Sequence, residues 1–212
     1  MQANIYNHFI RFFSGLIYIT LFTYSIYSPN TILIQVFVSV LISGSIYEIL
    51  QFQLMPFKNY MRFFLIVYVL ISFFIFTTIK TLEHGDILLF ILLIQVCASD
   101  IGGYVIGSFG KHYFSKISPN KTYEGLAGSM IFCIITGFAF KQFITQSLDV
   151  NFIYISIWIC LASIIGDLLM SKIKRLNKKS ESGYFLPGHG GFIDRLDSLL
   201  FATPVYYLII CM

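Results

Sequence analysis

Apolar residues run along the chain in seven blocks, divided by short stretches where Lys, Asp, Asn, Pro and Gly gather. The hydrocarbon core of a bilayer is ~30 Å thick and takes roughly 20 consecutive apolar residues in a helix. Blocks at 9–27, 31–50, 61–79, 86–107, 124–145, 152–171 and 194–212 meet that requirement and are predicted to be transmembrane helices. Tyr and Phe collect at several of their ends (Tyr24, Tyr27, Tyr60, Tyr68, Phe143), where interfacial anchors belong. No soluble domain fits between them. The predicted fold class is all-α, a polytopic integral membrane protein. N-terminal spans occupy 1–85, and a region at 86–212 carries the charged loops.

Composition agrees. Of the 212 residues 57% are hydrophobic and 11% charged, with mean hydropathy +0.80, against about 25% charged for a soluble domain. Cys97, Cys133, Cys160 and Cys211 are widely spaced in apolar runs and form neither a disulfide framework nor a CxxC metal knuckle. The first block carries Arg11 at its start and has no A-x-A-like cleavage site, and is predicted to be a retained helix. Of the 14 Lys and Arg, all but Lys80 and Lys141 fall in inner segments if the N-terminus is cytoplasmic. This positive-inside bias predicts an N-in, C-out topology with long cytoplasmic loops at 108–123 and 172–193. There is no internal repeat, and an odd span count weighs against the inverted-repeat plan of many transporters.

Four acidic residues, Glu48, Asp100, Asp167 and Asp197, fall at membrane depth or at its margin. Charge there is expensive, so each is a candidate functional residue. Asp100 lies about seven residues, or ~10 Å, from the inner end of its span, and Asp167 about five. Asp194 and Asp197 open the last span. Three helices thus bring carboxylates to one inner slab. Asp194 and Asp197, at i and i+3, share a helix face. Their repulsion is relieved by a divalent cation, and oxygen-only ligands favour Mg²⁺. An Asp–Arg pair using Arg195, with an N-cap, is the structural alternative.

The loops carry complementary chemistry. SPNKTYEG (118–125) places Ser118, Lys121 and Thr122 before span five, and PGHGGFIDR (187–195) places His189, Gly190, Gly191 and Arg195 before span seven. Glycines let backbone N–H groups approach a phosphate, and each following helix offers its N-terminus to an anion. With Lys174 and Arg175 these form a basic site above the acidic slab, the pattern of a metal–nucleotide site. Basic residues beside a membrane also serve as topology determinants or contacts to anionic lipid. DIGGYVIGSFGK (100–111) has GxxxG-like spacings that predict helix–helix packing. His189 fits a general base, a phosphate donor or a turn residue, whereas His8, His84 and His112 read as interfacial bystanders.

The run S-x-I-K-R from Ser171, continuing to L-P-G-H-G-G-F-I-D-R-L-D at Asp197, resembles the signature of the phosphatidate cytidylyltransferases (CDP-diacylglycerol synthases). In order, Asp100–Tyr104, S-P-x-K-T-x-E-G at Ser118–Gly125 and G-D-L at Gly166–Leu168 also agree. The resemblance is strong over roughly residues 97–200; before that only R-x-x-S-G at Arg11–Gly15 adds to it. It implies a multi-pass enzyme of a bacterial inner (plasma) membrane, its active site facing the cytoplasm, that joins CTP and phosphatidate into CDP-diacylglycerol and pyrophosphate. It further implies Asp167, Asp194 and Asp197 as ligands of Mg²⁺, with room for a second cation. Lys174 and Arg175 would act in catalysis. Asp100, Ser118, Lys121, Thr122, Ser171, His189, Gly190, Gly191 and Arg195 would meet the substrates. A homodimer is implied, and no nucleic acid. Two features depart from the family: Ser180-Glu181 stands where Lys-Asp is usual, and the chain is short. The alternatives are another membrane CTP-dependent lipid kinase or cytidylyltransferase, a cation transporter using the same aspartates, and a non-catalytic lipid scaffold.

Overall fold

The apolar blocks fold as helices. The computed structural model describes residues 17, 19–52, 58–113, 121–144, 151–177, 182–183 and 191–211. Among them lie a helical stretch α1 at 19–27, then α2 (Thr31–Leu50), α3 (Lys58–Lys80), α4 (Gly85–Gly107), α5 (Tyr123–Ile144), α6 (Phe152–Leu176) and α7 (Ile193–Ile210). The described residues contain no strand beyond one isolated bridge, Tyr113 with Thr122. Five helices, α2 to α6, are long and apolar enough to cross a membrane. The protein is therefore an all-helical, polytopic membrane protein.

One expected boundary is wrong. The segment from 172 was read as loop, yet α6 continues to Leu176, with Lys174 and Arg175 in its last turn. The apolar run ends at 171, but the helix does not: Lys and Arg near a helix C-terminus interact favourably with its dipole. Both residues are thus carried on a helix.

The chain divides into two compact units, Met1–Asp86 with Lys174–Leu196, and Ile87–Ile173 with Asp197–Met212. In the first, Phe22 of α1 stacks on Phe76 of α3 at 5.5 Å and meets Phe37 of α2 at 5.1 Å. Lys80, in the last turn of α3, donates to the Ile26 carbonyl of α1 and pairs with Asp86. Arg62 Nε donates to the Phe52 carbonyl beyond the end of α2, at 3.0 Å. His84, in the turn into α4, takes the left-handed φ of 58°.

In the second unit α4 and α5 meet through small residues, as the GxxxG-like spacing predicts. A Cβ on Gly102 would stand 2.5 Å from the Gly128 carbonyl oxygen, and one on Gly128 2.6 Å from Ile106 Cβ. Ser129 Oγ donates to the Ser99 carbonyl at 2.7 Å, adding a hydrogen bond across the seam. Deeper in this unit, the buried Gln95 amide of α4 lies 2.8 Å from Ser156 Oγ of α6. With its O and N exchanged it also reaches the Cys133 carbonyl and the Gly137 N–H of α5, both at 3.3 Å.

Packing outweighs polarity between these helices. Interhelical hydrogen bonds in bilayers average only about 0.6 kcal/mol, and reach ~1.7 kcal/mol. A side chain forced into a filled seam costs about 1–3 kcal/mol, and more when the obstacle is backbone. Thermal unfolding in detergent should therefore show Gly128→Val lowering the midpoint further than Gln95→Leu. The opposite ranking would contradict the glycine seam.

Candidate active site

In the second unit, four segments bring the expected polar residues into two groups. Lys121, just before α5, pairs with Asp167 of α6, and Ser171 Oγ, one turn on, donates to Asp167 Oδ1 at 3.3 Å. Asp100 of α4 accepts from Ser198 Oγ of α7 at 3.3 Å, and the neighbouring Asp197 accepts from the Ser198 N–H at 2.8 Å. Gly166 sets the spacing: a Cβ there would lie 2.7 Å from the Asp197 carbonyl oxygen. Only glycine lets α6 approach α7 this closely beside Asp167. Asp197 is buried and Asp167 half-buried, while Asp100 is exposed.

The loop before α5 is held at its ends. Thr122 Oγ1 accepts from the Gly125 N–H at 3.1 Å, capping α5. The Tyr123 N–H donates to the His112 carbonyl at 3.0 Å. Glu124 accepts from the Lys111 N–H at 3.2 Å and lies 2.6 Å from His112 Nδ1. His112, read above as a bystander, is thus part of the clamp that fixes where Lys121 leaves the chain. Thr122, expected at substrate, is buried with its hydroxyl engaged by backbone groups.

The first unit holds the other half of the signature. Asp194, in the first turn of α7, accepts from Lys174 Nζ at 2.7 Å through Oδ1. Through Oδ2 it accepts from the N–H groups of Ser182 at 2.8 Å and Gly191 at 3.2 Å. Three donors, one of them charged, favour the anionic carboxylate. Its cation is therefore Lys174, twenty residues earlier. Arg175 and Arg195 are exposed.

Next to this lies Glu48 of α2. It is fully buried, at 0% exposure. Its carboxylate accepts from the Phe192 N–H at 2.7 Å, the Ile193 N–H at 3.1 Å and Ser182 Oγ at 2.8 Å. The first amides of α7, expected to await a phosphate, are thus engaged by protein carboxylates. Glu48 stood out in the sequence only as an intramembrane acid, and Ser182 and Ser198 not at all. Ser118, His189 and Gly190 lie outside the described residues.

Among the described residues, no group of three or more His, Cys, Asp or Glu side chains is arranged to hold a metal ion. The donor chemistry of Asp167, Asp194 and Asp197 still suits a hard cation, since all their donors are carboxylate oxygens. Asp167 and Asp194 each face a lysine, so their negative charge is already matched by positive charge from the protein.

Comparison with known proteins adds a family. The sequence profile described as "Cytidylyltransferase family" matches residues 3–212. Phosphatidate cytidylyltransferase of Bacillus subtilis (strain 168) is 35% identical over 152 residues, 69% of this chain and 56% of that protein. Phosphatidate cytidylyltransferase of Haemophilus influenzae is 39% identical over 130 residues, 58% of this chain and 45% of its own length. That of Mycobacterium bovis is 35% identical over 132 residues, 61% and 43% respectively. The matched region thus spans about half the length of these relatives.

Proposed function

The chain belongs to the cytidylyltransferase family, and on that premise we propose that it joins CTP to phosphatidate, forming CDP-diacylglycerol and pyrophosphate. The family match along residues 3–212 carries this reading. The pairing of Lys121 with Asp167 and of Lys174 with Asp194 supports it, because both pairs join residues that signature and charge single out.

The reaction sits at the inner face of a bacterial inner membrane. The distribution of the 14 Lys and Arg supports a cytoplasmic N-terminus and seven spans. Phosphatidate enters sideways from the inner leaflet, and CTP docks from the cytoplasm. A phosphate oxygen of phosphatidate, already anionic at neutral pH, attacks the α-phosphorus in line. The new O–P bond forms as the bond to the β-phosphate oxygen breaks, and pyrophosphate leaves with that electron pair. No strong general base is needed.

What the protein supplies is approach and charge. Two anions repel, and positioned cations lower that repulsion most where water is excluded. Lys121 and Lys174 exchange a carboxylate for a phosphate oxygen, and Arg175, Arg195 and His189 add positive charge or donors. On family grounds Ser118, Ser171, Gly190 and Asp100 would meet the nucleotide, while Thr122 and Gly191, whose hydroxyl and N–H are engaged within the protein, shape the segments that carry the lysines and Asp194. Asp167, Asp194 and Asp197 would hold Mg²⁺, which supplies neutralisation of the leaving pyrophosphate. A homodimer is part of this proposal on family grounds.

Product analysis tests the reaction class. With CTP and phosphatidate, pyrophosphate should appear in step with CDP-diacylglycerol, and each substrate should be required. Release of CDP instead would identify a lipid kinase. Cation flux into proteoliposomes without CTP would identify a transporter.

A further inference from the structure

We propose that Glu48 is a positioning residue for Asp194, holding the two peptide segments that orient that carboxylate. This rests on the proposed role of Asp194 in the reaction. A carboxylate taken fully out of water costs several kcal/mol unless hydrogen bonds replace its hydration. Glu48 is so placed, at 0% exposure on a helix whose other residues are all uncharged, where an aliphatic residue would serve packing alone. Among the described residues, its three hydrogen bonds all come from the segments that surround Asp194.

The coupling runs through shared residues. Ser182 gives its hydroxyl to Glu48 and its N–H to Asp194. Gly191 gives its N–H to Asp194, and the next two N–H groups along the chain go to Glu48. The glycines fit the same purpose. A Cβ on Gly191 would stand 2.5 Å from Glu48 Oε2, and one on Gly183 2.8 Å from Oε1. A Cβ on Gly44, one turn before Glu48, would stand 2.5 Å from the Phe192 ring. The signature's glycine at 191 is thus explained by the internal carboxylate it approaches. Glu48 also meets the first amides of α7, where a helix favours negative charge. The two carboxylates share the donors of these two segments, so that moving one displaces the donors of the other.

The test uses the full-length protein in detergent with Glu48→Gln, Glu48→Asp and Ser182→Ala. Gln keeps the shape, yet either amide orientation sets an NH₂ against a backbone N–H. Residues that orient a reaction-centre ligand typically contribute ~10–100-fold. Glu48→Gln should therefore lower kcat by about that factor, with KM for phosphatidate within twofold. Glu48→Asp should recover part of the loss, and Ser182→Ala should lower kcat less than Glu48→Gln. Amide hydrogen exchange should speed up in Glu48→Gln at Ser182 and Gly191, whose N–H groups bind Asp194 and not Glu48. Folded Glu48→Gln with native kcat, or a rise in KM alone, overturns the proposal. If Glu48→Gln does not fold, an unchanged kcat in Ser182→Ala overturns it. A native protein without turnover would defeat the proposed reaction, while exchange at Ser182 and Gly191 would still decide the coupling.

Discussion

Asp197→Asn is expected to abolish turnover and leave the protein folded and inserted in the membrane. The side chain is buried, and one of its oxygens accepts from the Ser198 N–H. An asparagine oxygen accepts that bond equally well, so the substitution removes charge while keeping shape. A hard cation held there, or a lysine binding phosphate beside it, would lose that charge. Losing several kcal/mol of transition-state stabilisation corresponds to a thousandfold or more, at about 1.36 kcal/mol per factor of ten. Asp194→Asn should be as inactive but less stable. Both Asp194 oxygens are used, so an amide NH₂ would face either the Lys174 ammonium or two backbone N–H groups. Steady-state rates with size-exclusion profiles and unfolding midpoints separate the two effects. Near-native activity in both variants would remove these aspartates from the reaction.

Lys174→Met should cost nearly as much, by another route. Lys174 and Asp194 are 13% and 11% exposed, so their pair is largely shielded from solvent and salt. Breaking a buried pair by deleting one partner leaves an uncompensated charge and costs about 3–5 kcal/mol. The loss here should fall short of that, because the backbone N–H groups of Ser182 and Gly191 remain on Asp194. Turnover should still drop ~100–1000-fold, the usual effect of deleting a charge-stabilising donor from an active site. Lys174→Arg keeps the charge with a different shape, and should recover only part of it. Equal activity of Lys174→Met and native protein would show that this lysine takes no part in turnover.

The spans were legible because a bilayer imposes a length and a polarity on whatever crosses it. The block at 31–50 is α2 to the residue, and the block at 86–107 is α4 to within one. The glycine seam of α4 and α5 was legible for a similar reason, since close helix approach needs small residues at helical spacing. The end of α6 was not, because hydropathy marks where an apolar run ends and says nothing of a helix that continues past it. Lys121, Asp167, Lys174 and Asp194 were singled out, but not who faces whom. Lys174 was expected to face phosphate and faces Asp194. Glu48 shows the limit best. Its partners lie 134 to 145 residues away in sequence, a separation no local pattern encodes. Its depth in the membrane marked it as costly to keep, without saying what it holds.

The central claim is that the chain transfers a cytidylyl group to phosphatidate and that the signature aspartates are needed for it. Purified protein in detergent, supplied with phosphatidate and radiolabelled CTP, tests this directly by label entering the lipid fraction. The account predicts labelling with Mg²⁺, none with EDTA, and none from folded Asp197→Asn. Folded native protein that transfers no label, or Asp197→Asn that labels lipid at the native rate, would contradict it.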